Sequence, residues 1–297
     1  MRERLNNFPK AVVFGSRGQM GSAIQSVLTE VGYVVRPYDR AACDIESLDA
    51  VLEAAHSLTD GDVLVNAAAW TDVAAAERDL TAAFETNYRG CLNVSLASQS
   101  TGATCVTFST DYVFDGSKTS PYVESDPTNA LNVYGASKLA GEAITRETTT
   151  RHYVARLATV FGVAAGRRRP NFVDRIAGLE RGSTVELVAQ GSISPTYAAD
   201  AAELIGRLLA CHAPYGVYHL ANAGACTWYE LGSVVRDLCG ADITIVEATP
   251  GHEDIVRRPL HSALASEKLA ALGLTPAPWR DAVARYLRVT HRITAAG

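Results

Sequence analysis

Lys10-Ala-Val-Val-Phe-Gly15-Ser-Arg-Gly18-Gln-Met-Gly21 decides the fold of this 297-residue chain. The apolar run from Lys10 to Gly15 reads as a β-strand, and Met20, Ile24, Val27, Leu28 and Val31 then recur at helical spacing. Gly32 marks a stop and Tyr33 to Arg36 resumes an extended pattern, which completes a βαβ unit. Glycines at the joint permit a tight turn and let backbone approach a pyrophosphate at the helix N-terminus. The Gly-x-x-Gly-x-x-Gly spacing differs from the commoner dinucleotide fingerprint. Its weight comes from its place between a strand and an amphipathic helix.

Outward from this unit, further strands are expected at Asp62 to Asn66, Thr104 to Ser109 and His152 to Leu157, with helices over Thr81 to Ser100 and Tyr134 to Thr148. The alternation predicts an α/β chain built on a Rossmann-like, doubly wound parallel sheet. Past Phe161 the rhythm changes, through a Gly- and Arg-rich loop from Gly162 to Pro170 and a helix near Phe172 to Arg181. Residues 1–160 are expected to form a dinucleotide-binding domain. Residues 161–297 are expected to form a smaller, interleaved C-terminal substrate-binding region, with segments such as Val217 to Leu220 returning to the main sheet.

Composition removes several classes of function. Hydrophobic residues at 47% and charged residues at 20% exclude a disordered chain, and 23 Gly with 11 Pro exclude a collagenous one. A net charge of -5 supplies no global positive field for nucleic acid. Near the start only Ala11 to Phe14 is continuously apolar, and the uncharged stretch from Gly90 to Thr110 is too polar to cross a bilayer. A cytoplasmic protein without a membrane partner is expected. The six cysteines, at 43, 91, 105, 211, 226 and 239, form no Cys-x-x-Cys pair and are expected to be buried thiols rather than zinc ligands or a disulfide framework. Arg outnumbers Lys 23 to 4, a skew expected of GC-rich coding, which makes each Lys informative.

Three segments carry chemistry beyond the glycine turn. Asp39, past the second strand, is placed to accept hydrogen bonds from ribose hydroxyls, whereas Arg17, Arg36 or Arg40 would suit a 2′-phosphate, so NAD and NADP both stay open. Tyr134-Gly-Ala-Ser-Lys138 puts a phenol and an ammonium on one helix face. With 12 Tyr and 4 Lys, chance supplies only about 0.16 such pairs. A tyrosine titrates near ~10, so a catalytic acid working near neutrality gains from a cation that stabilises phenolate. Ser109-Thr110-Asp111-Tyr112-Val113-Phe114-Asp115-Gly116 sits at a strand's carboxyl end, where open α/β sheets bind ligands. The hydroxyls there can bond a carbonyl oxygen and Asp111 a sugar hydroxyl, although Ser, Thr and Asp are also ordinary turn residues.

These segments, with Asn66-Ala-Ala-Ala-Trp70-Thr-Asp-Val73, Glu77, Asn87, Gly141-Glu142, Ser194-Pro-Thr-Tyr197-x-x-Asp200 and Arg258-Pro259, resemble the dTDP-4-dehydrorhamnose reductase family of extended short-chain dehydrogenases/reductases. The likeness covers nearly the whole chain. It implies that NADPH, or NADH, delivers hydride to C4 of a dTDP-linked 4-keto-6-deoxysugar, in rhamnose or related deoxysugar synthesis. It further implies that Tyr134 protonates the alkoxide, that Lys138 lowers the Tyr134 pKa and bonds the nicotinamide ribose, and that Thr110 orients the carbonyl. By the same matching Gly15, Gly18, Gln19 and Met20 hold the pyrophosphate, Asp44 and Ile45 the adenine, and Ala67, Ala68, Ala69 and Asn87 line the nicotinamide side. Thr71, Val73, Asp111, Thr159 and Asn171 face the sugar.

Two departures qualify the likeness. Many members have a sugar-contacting Trp where this chain has Thr159, which leaves the sugar open, and a Glu linked to a magnesium-bridged dimer is Ala23 here, so no such metal is expected. A homodimer is compatible with the family. Arg167 to Arg169 is a candidate clamp for the diphosphate. Two competing readings are a nucleotide-sugar epimerase or dehydratase, against which Tyr112 stands where dehydratases place Glu, and a non-catalytic NADP-binding regulatory subunit of the same fold.

Overall fold

The computed structural model describes residues 8–166, 170–249 and 256–293. In chain order its first half contains β1 (Lys10–Phe14), α1 (Gln19–Glu30), β2 (Val34–Tyr38), α2 (Leu48–Ala55), β3 (Val63–Asn66), α3 (Val73–Arg78), α4 (Leu80–Phe84), α5 (Gly90–Thr101), β4 (Thr104–Thr110), α6 (Val133–Thr148) and β5 (His152–Leu157). Then follow β6 (Val160–Phe161), α7 (Phe172–Ala177), β7 (Thr184–Val188), β8 (Thr196–Tyr197), α8 (Ala198–Ala210), β9 (Gly216–His219), α9 (Trp228–Cys239), β10 (Thr244–Ala248), α10 (Glu267–Ala271) and α11 (Trp279–Val289).

Six strands form one parallel sheet in the order β2-β1-β3-β4-β5-β9. The chain runs outward from β1 to β2, then returns past β1 to build β3, β4 and β5. This reversal makes the switch point, between β1 and β3, where a doubly wound sheet opens a crevice beyond its strand ends. β9, which contains Val217, pairs with β5 at one edge of the sheet. Strand side chains alternate between two cores. Val13, Val65 and Ala155 pack with Ile24 and Leu28 of α1 and Ile205 of α8, while Val12, Leu64 and Cys105 pack with Val51 of α2 and Val94 of α5.

A further core joins Val173 and Ile176 of α7, Leu187 of β7, Leu231 and Val235 of α9, and Trp279, Val283 and Tyr286 of α11. It lies next to two short sheets, β10-β7 and β6-β8.

Several boundaries differ from the sequence reading for identifiable reasons. The first strand stops at Phe14 because Gly15 has φ +68° and turns the chain out of the sheet. The helix from Phe172 stops at Ala177 rather than Arg181, because Gly178 caps it and Gly182 has φ +78°. The helix expected from Thr81 to Ser100 begins at Leu80 and is interrupted by a π-helical turn at Glu85–Arg89. Cys211 is exposed and Cys239 half-buried, whereas the other four thiols are buried as expected. The Gly90 to Thr110 stretch is α5 plus β4, and among the described residues no helix is long and apolar enough to cross a membrane.

Candidate active site

Beyond the carboxyl ends of β1, β3, β4 and β5 lies a cleft of about 530 Å³. One wall is the glycine turn. A Cβ on Gly15 would stand 2.5 Å from Ala68 N, and one on Gly21 would stand 2.1 Å from Gly15 O. The turn therefore packs backbone against backbone at the switch point, and α1 presents Gly18, Gln19 and Met20 to the cleft. α2, α3, α6 and α9 begin with a Ser, Asp, Asn or Thr side chain that accepts an N–H of the first turn. α1 begins at Gly18 with no side-chain cap and no acidic residue in its first turn. The positive end of its dipole is left for an anion, which fits a dinucleotide pyrophosphate.

The floor is built from β4 and α6. Thr110 ends β4, 5% exposed. Its hydroxyl donates to Asp111 Oδ1 at 3.0 Å and accepts the Tyr112 N–H at 3.1 Å. α6 starts where Asn132 caps it, accepting the Gly135 N–H at 2.8 Å, and where Glu77 of α3 accepts the Val133 N–H at 2.7 Å. These bonds fix the turn that carries Tyr134, and a Cβ on Gly135 would stand 2.3 Å from Tyr112 O, which brings α6 against β4. Tyr134 meets Tyr112 edge-on, ring centroids 5.9 Å apart.

Burial raises the Tyr134 phenol above its ordinary value. The Thr110 hydroxyl opposes that shift by hydrogen bonding, while Asp111 and Tyr112 add to it. This runs opposite to the lowering that the Lys138 pairing predicts, because enclosure of the phenol dominates. Lys138, 6% exposed, is lowered by burial and supported by the Cys91 thiol and Glu142. Burial pushes the Asp111 carboxyl up to about 6, against hydrogen bonds from Ser262, Thr110 and the backbone.

Behind Lys138, Glu142 accepts Arg156 Nε and Nη2 at 2.9 and 2.8 Å, a buried bidentate pair. His219 stands 3.4 Å from Arg156 Nη1, and its Nδ1 faces the carbonyls of Tyr122 and Ala265 at 3.1 and 2.9 Å. Burial, opposed by Glu124, brings its pKa down to about 4. A neutral ring with its proton on Nδ1 donates to those carbonyls and accepts from Arg156.

The cleft brings together Gly18, Gln19, Met20, Ala67, Ala69, Thr71, Val73, Thr110, Asp111, Tyr134, Lys138 and Thr159 of the sequence-derived set. The other members stand outside its lining. Gly15 and Ala68 shape the turn from behind. Asp39 Oδ1 accepts the N–H groups of Ala41 and Ala42 at 3.1 and 3.0 Å, and Arg17 stands 3.4 Å from its other oxygen. Arg40 pairs with Asp44 and Glu46 at the surface. Arg36 donates to Ser57 at 2.7 Å. Ile45 is buried behind the sheet, its carbonyl accepting from Asn93 at 2.8 Å.

Asn87, on the π turn, is buried and bonds Trp70 N and O at 2.9 and 3.1 Å and Ser137 Oγ at 2.9 Å. It ties the Ala67–Trp70 loop to α6. Asn171 caps α7 and reaches Gln19 and Tyr286. Arg167 to Arg169 lies outside the described residues.

The sequence reading did not single out Trp228 and Ile193, which line the same cleft from the C-terminal half. Arg258, Pro259 and Ser262 come with them because Gly116, φ +73°, packs against Pro259 and Leu260. Thr159 also has a positive φ, +44°, uncommon for a residue with a branched Cβ. A comparable cavity of about 570 Å³ near Asp174, Arg175 and Tyr286 contains none of Thr110, Tyr134 and Lys138.

Residues 10–292 match the family model described as RmlD substrate binding domain. The chain is 34% identical over 283 residues to the spore coat polysaccharide biosynthesis protein SpsK of Bacillus subtilis, covering 94% of this chain and 97% of that one. It is 35% identical over 285 residues to a dTDP-4-dehydrorhamnose reductase of Streptomyces griseus, covering 93% and 92%. The crystal structure of dTDP-4-dehydrorhamnose reductase from Bacillus anthracis in complex with NADP superposes with a TM-score of 0.87 at 29% identity, covering 94% and 99%. The sheet order, the glycine turn at its switch point and the match along the whole chain place this protein in the dTDP-4-dehydrorhamnose reductase family.

Proposed function

We propose that this protein is an NADPH-dependent reductase of the C4 keto group of a dTDP-linked 4-dehydro-6-deoxyhexose. One observation carries the reading: Thr110, Tyr134 and Lys138 share the floor of a cleft whose wall is the uncapped start of α1. Relatives named dTDP-4-dehydrorhamnose reductase and a solved relative in complex with NADP support the substrate and the cofactor.

The backbone cradle of Gly15, Gly18 and Gly21 fits a dinucleotide, since side chains at Gly15 or Gly21 would collide with main chain. Gly18, Gln19 and Met20 hold the pyrophosphate, Ala67 to Ala69 the nicotinamide side, and Asp39 with Arg17 the adenosine ribose. NADPH, when bound, supplies the hydride. Tyr134 gives its phenolic proton to the oxygen on C4, and Lys138, as an ammonium, offsets the burial that holds the phenol too weak an acid. Thr110 orients the carbonyl oxygen, while Thr71, Val73, Asp111, Thr159 and Asn171 form the sugar side. In this reading residues 1–160 bind the dinucleotide, residues 161–297 mainly the substrate, and the enzyme works in the cytoplasm as a homodimer.

The test is to follow NADPH absorbance on mixing the protein with dTDP-4-dehydro-β-L-rhamnose, then with other dTDP-4-keto-6-deoxyhexoses. Oxidation with at least one is expected, and no oxidation with any overturns the proposal. An epimerase would convert a sugar without net consumption of NADPH.

A further inference from the structure

The Thr110 hydroxyl has one proton, and it is already committed. It is donated to Asp111 at 3.0 Å, while the oxygen accepts the Tyr112 N–H at 3.1 Å. A hydroxyl whose single proton is held by a carboxylate has no second proton to offer a ketone. For Thr110 to donate to a substrate oxygen, its bond to Asp111 must break or reverse.

We propose that Asp111 works as a neutral acid: its carboxyl O–H donates to Thr110 and so frees the Thr110 proton for the substrate's C4 carbonyl oxygen. In that state Thr110 accepts from Asp111 and from the Tyr112 N–H, and donates once, toward the ketone. Tyr134 donates to the same oxygen. Neither Thr110 nor Asp111 loses a proton over the turnover. The new C–H bond comes from NADPH, which is oxidised, and the new O–H proton comes from Tyr134. The inference rests on the reductase reading and adds a positioning role, exerted through Thr110, to a residue that the family resemblance assigned only to the sugar side.

The surroundings suit a neutral carboxyl. Asp111 is 3% exposed. Tyr134 faces it from α6, Ser262 bonds it from the segment before α10, and Tyr112 stands beside it with Arg258 on its phenol. Arg258 is the cation among these groups, and it is engaged with Tyr112. Burial outweighs the hydrogen bonds that favour the carboxylate, which brings proton loss to about pH 6.

The experiment compares kcat/KM against pH for wild type, Asp111→Asn and Thr110→Val, with NADPH and a dTDP-4-keto-6-deoxyhexose. Wild type is expected to fall about tenfold as pH rises through a midpoint near 6, then level off where each turnover must break the bond to ionised Asp111. Asp111→Asn, whose amide donates at every pH, is expected to lose that limb and keep its NADPH affinity. Thr110→Val is slower throughout and also lacks the limb. A flat wild-type profile, or a limb that survives in Asp111→Asn or Thr110→Val, overturns the proposal. So does a carbon-13 titration of the NADP-bound protein that puts the Asp111 midpoint below about 5. Wild type that oxidises no NADPH at any pH overturns the reductase reading instead, and the carbon-13 titration still decides the state of Asp111.

Discussion

The two sides of the cleft are made of different material. At the glycine turn the contacts are main chain on main chain: Gly15 against Ala67 and Ala68, Gly21 against Gly15, and the open N-terminus of α1. On the floor, Thr110, Asp111, Tyr134 and Lys138, with Glu142, Arg156 and His219 behind them, are largely enclosed polar side chains, several with displaced pKa values. In the proposed reading the turn fixes where the cofactor lies, while the floor, which holds charge in a place that opposes it, supplies the chemistry. Changes at the turn should therefore harm folding and binding together, while changes on the floor should separate activity from stability.

The strongest test of that contrast is Tyr134→Phe. It removes one hydroxyl whose partner on the floor is Thr110. Loss of a general acid costs about 10²- to 10⁴-fold in kcat. NADPH affinity by fluorescence titration and the thermal midpoint should stay near wild type. A variant that loses cofactor binding as well would show that the floor also builds the cradle.

Next in size is the stability of Asp111→Asn. The folded-state pKa of Asp111, about 6, lies above the unfolded value near ~3.9, so its ionisation costs the folded state up to about 3 kcal/mol at neutral pH. That cost fades as pH falls from 6 toward 4. His219 has the opposite sign. Its folded value near 4 lies below ~6.5, so the stability of its neutral ring is complete above pH 6.5 and is lost as pH falls toward 4, again by about 3 kcal/mol. In wild type these two slopes oppose each other. Urea unfolding should find Asp111→Asn more stable than wild type at pH 7 and more sensitive to acid between pH 6.5 and 4. Equal acid sensitivity in the two proteins would remove Asp111 from this balance.

Gly21→Ala and Gly18→Ala probe the other wall. The Gly21 methyl would stand 2.1 Å from Gly15 O, where only backbone movement makes room, whereas the Gly18 methyl would stand 3.4 Å away at φ −75°. Gly21→Ala should cost about 1–3 kcal/mol and abolish tight NADPH binding. Gly18→Ala should change stability by less than about 0.5 kcal/mol. Equal losses would mean that general glycine entropy, rather than this close approach, explains the motif.

The same contrast explains how much the sequence made legible. The glycine turn, β5 and the Tyr134–Lys138 spacing are local patterns, and each stands within a residue or two of its expected place. Asn87 lies on a π turn, which carries no marker in apolar spacing, and its bonds reach Trp70 and Ser137 in two other segments. Trp228 and Ile193 reach the cleft from the C-terminal half, so no short window contains them with Tyr134. Ile45, matched to the adenine by resemblance, is buried against Gly90, whose missing side chain makes room for it. The direction of the Tyr134 shift was illegible for a related reason, because enclosure by β4 and α6 decides it and spacing along one helix does not.

The smallest effect should come from Asp39→Ala, at the outer end of the glycine wall. Asp39 is the one carboxylate expected near the adenosine ribose, and a 2′-phosphate there would feel its charge. Two backbone N–H groups and Arg17 already engage that carboxylate, and the hydrogen bond from Ala42 leads in holding its pKa below the ordinary value. The pair with Arg17 is open to solvent, where such charges are screened and contribute little. Removing Asp39 should raise the ratio of kcat/KM for NADPH over NADH by about two- to tenfold, with most of the change in KM. Low ionic strength should enlarge the effect. A larger shift, or one indifferent to salt, would mean that the hydrogen bond from the ribose to Asp39, rather than the charge of Asp39, sets the preference and that this wall too relies on a side chain.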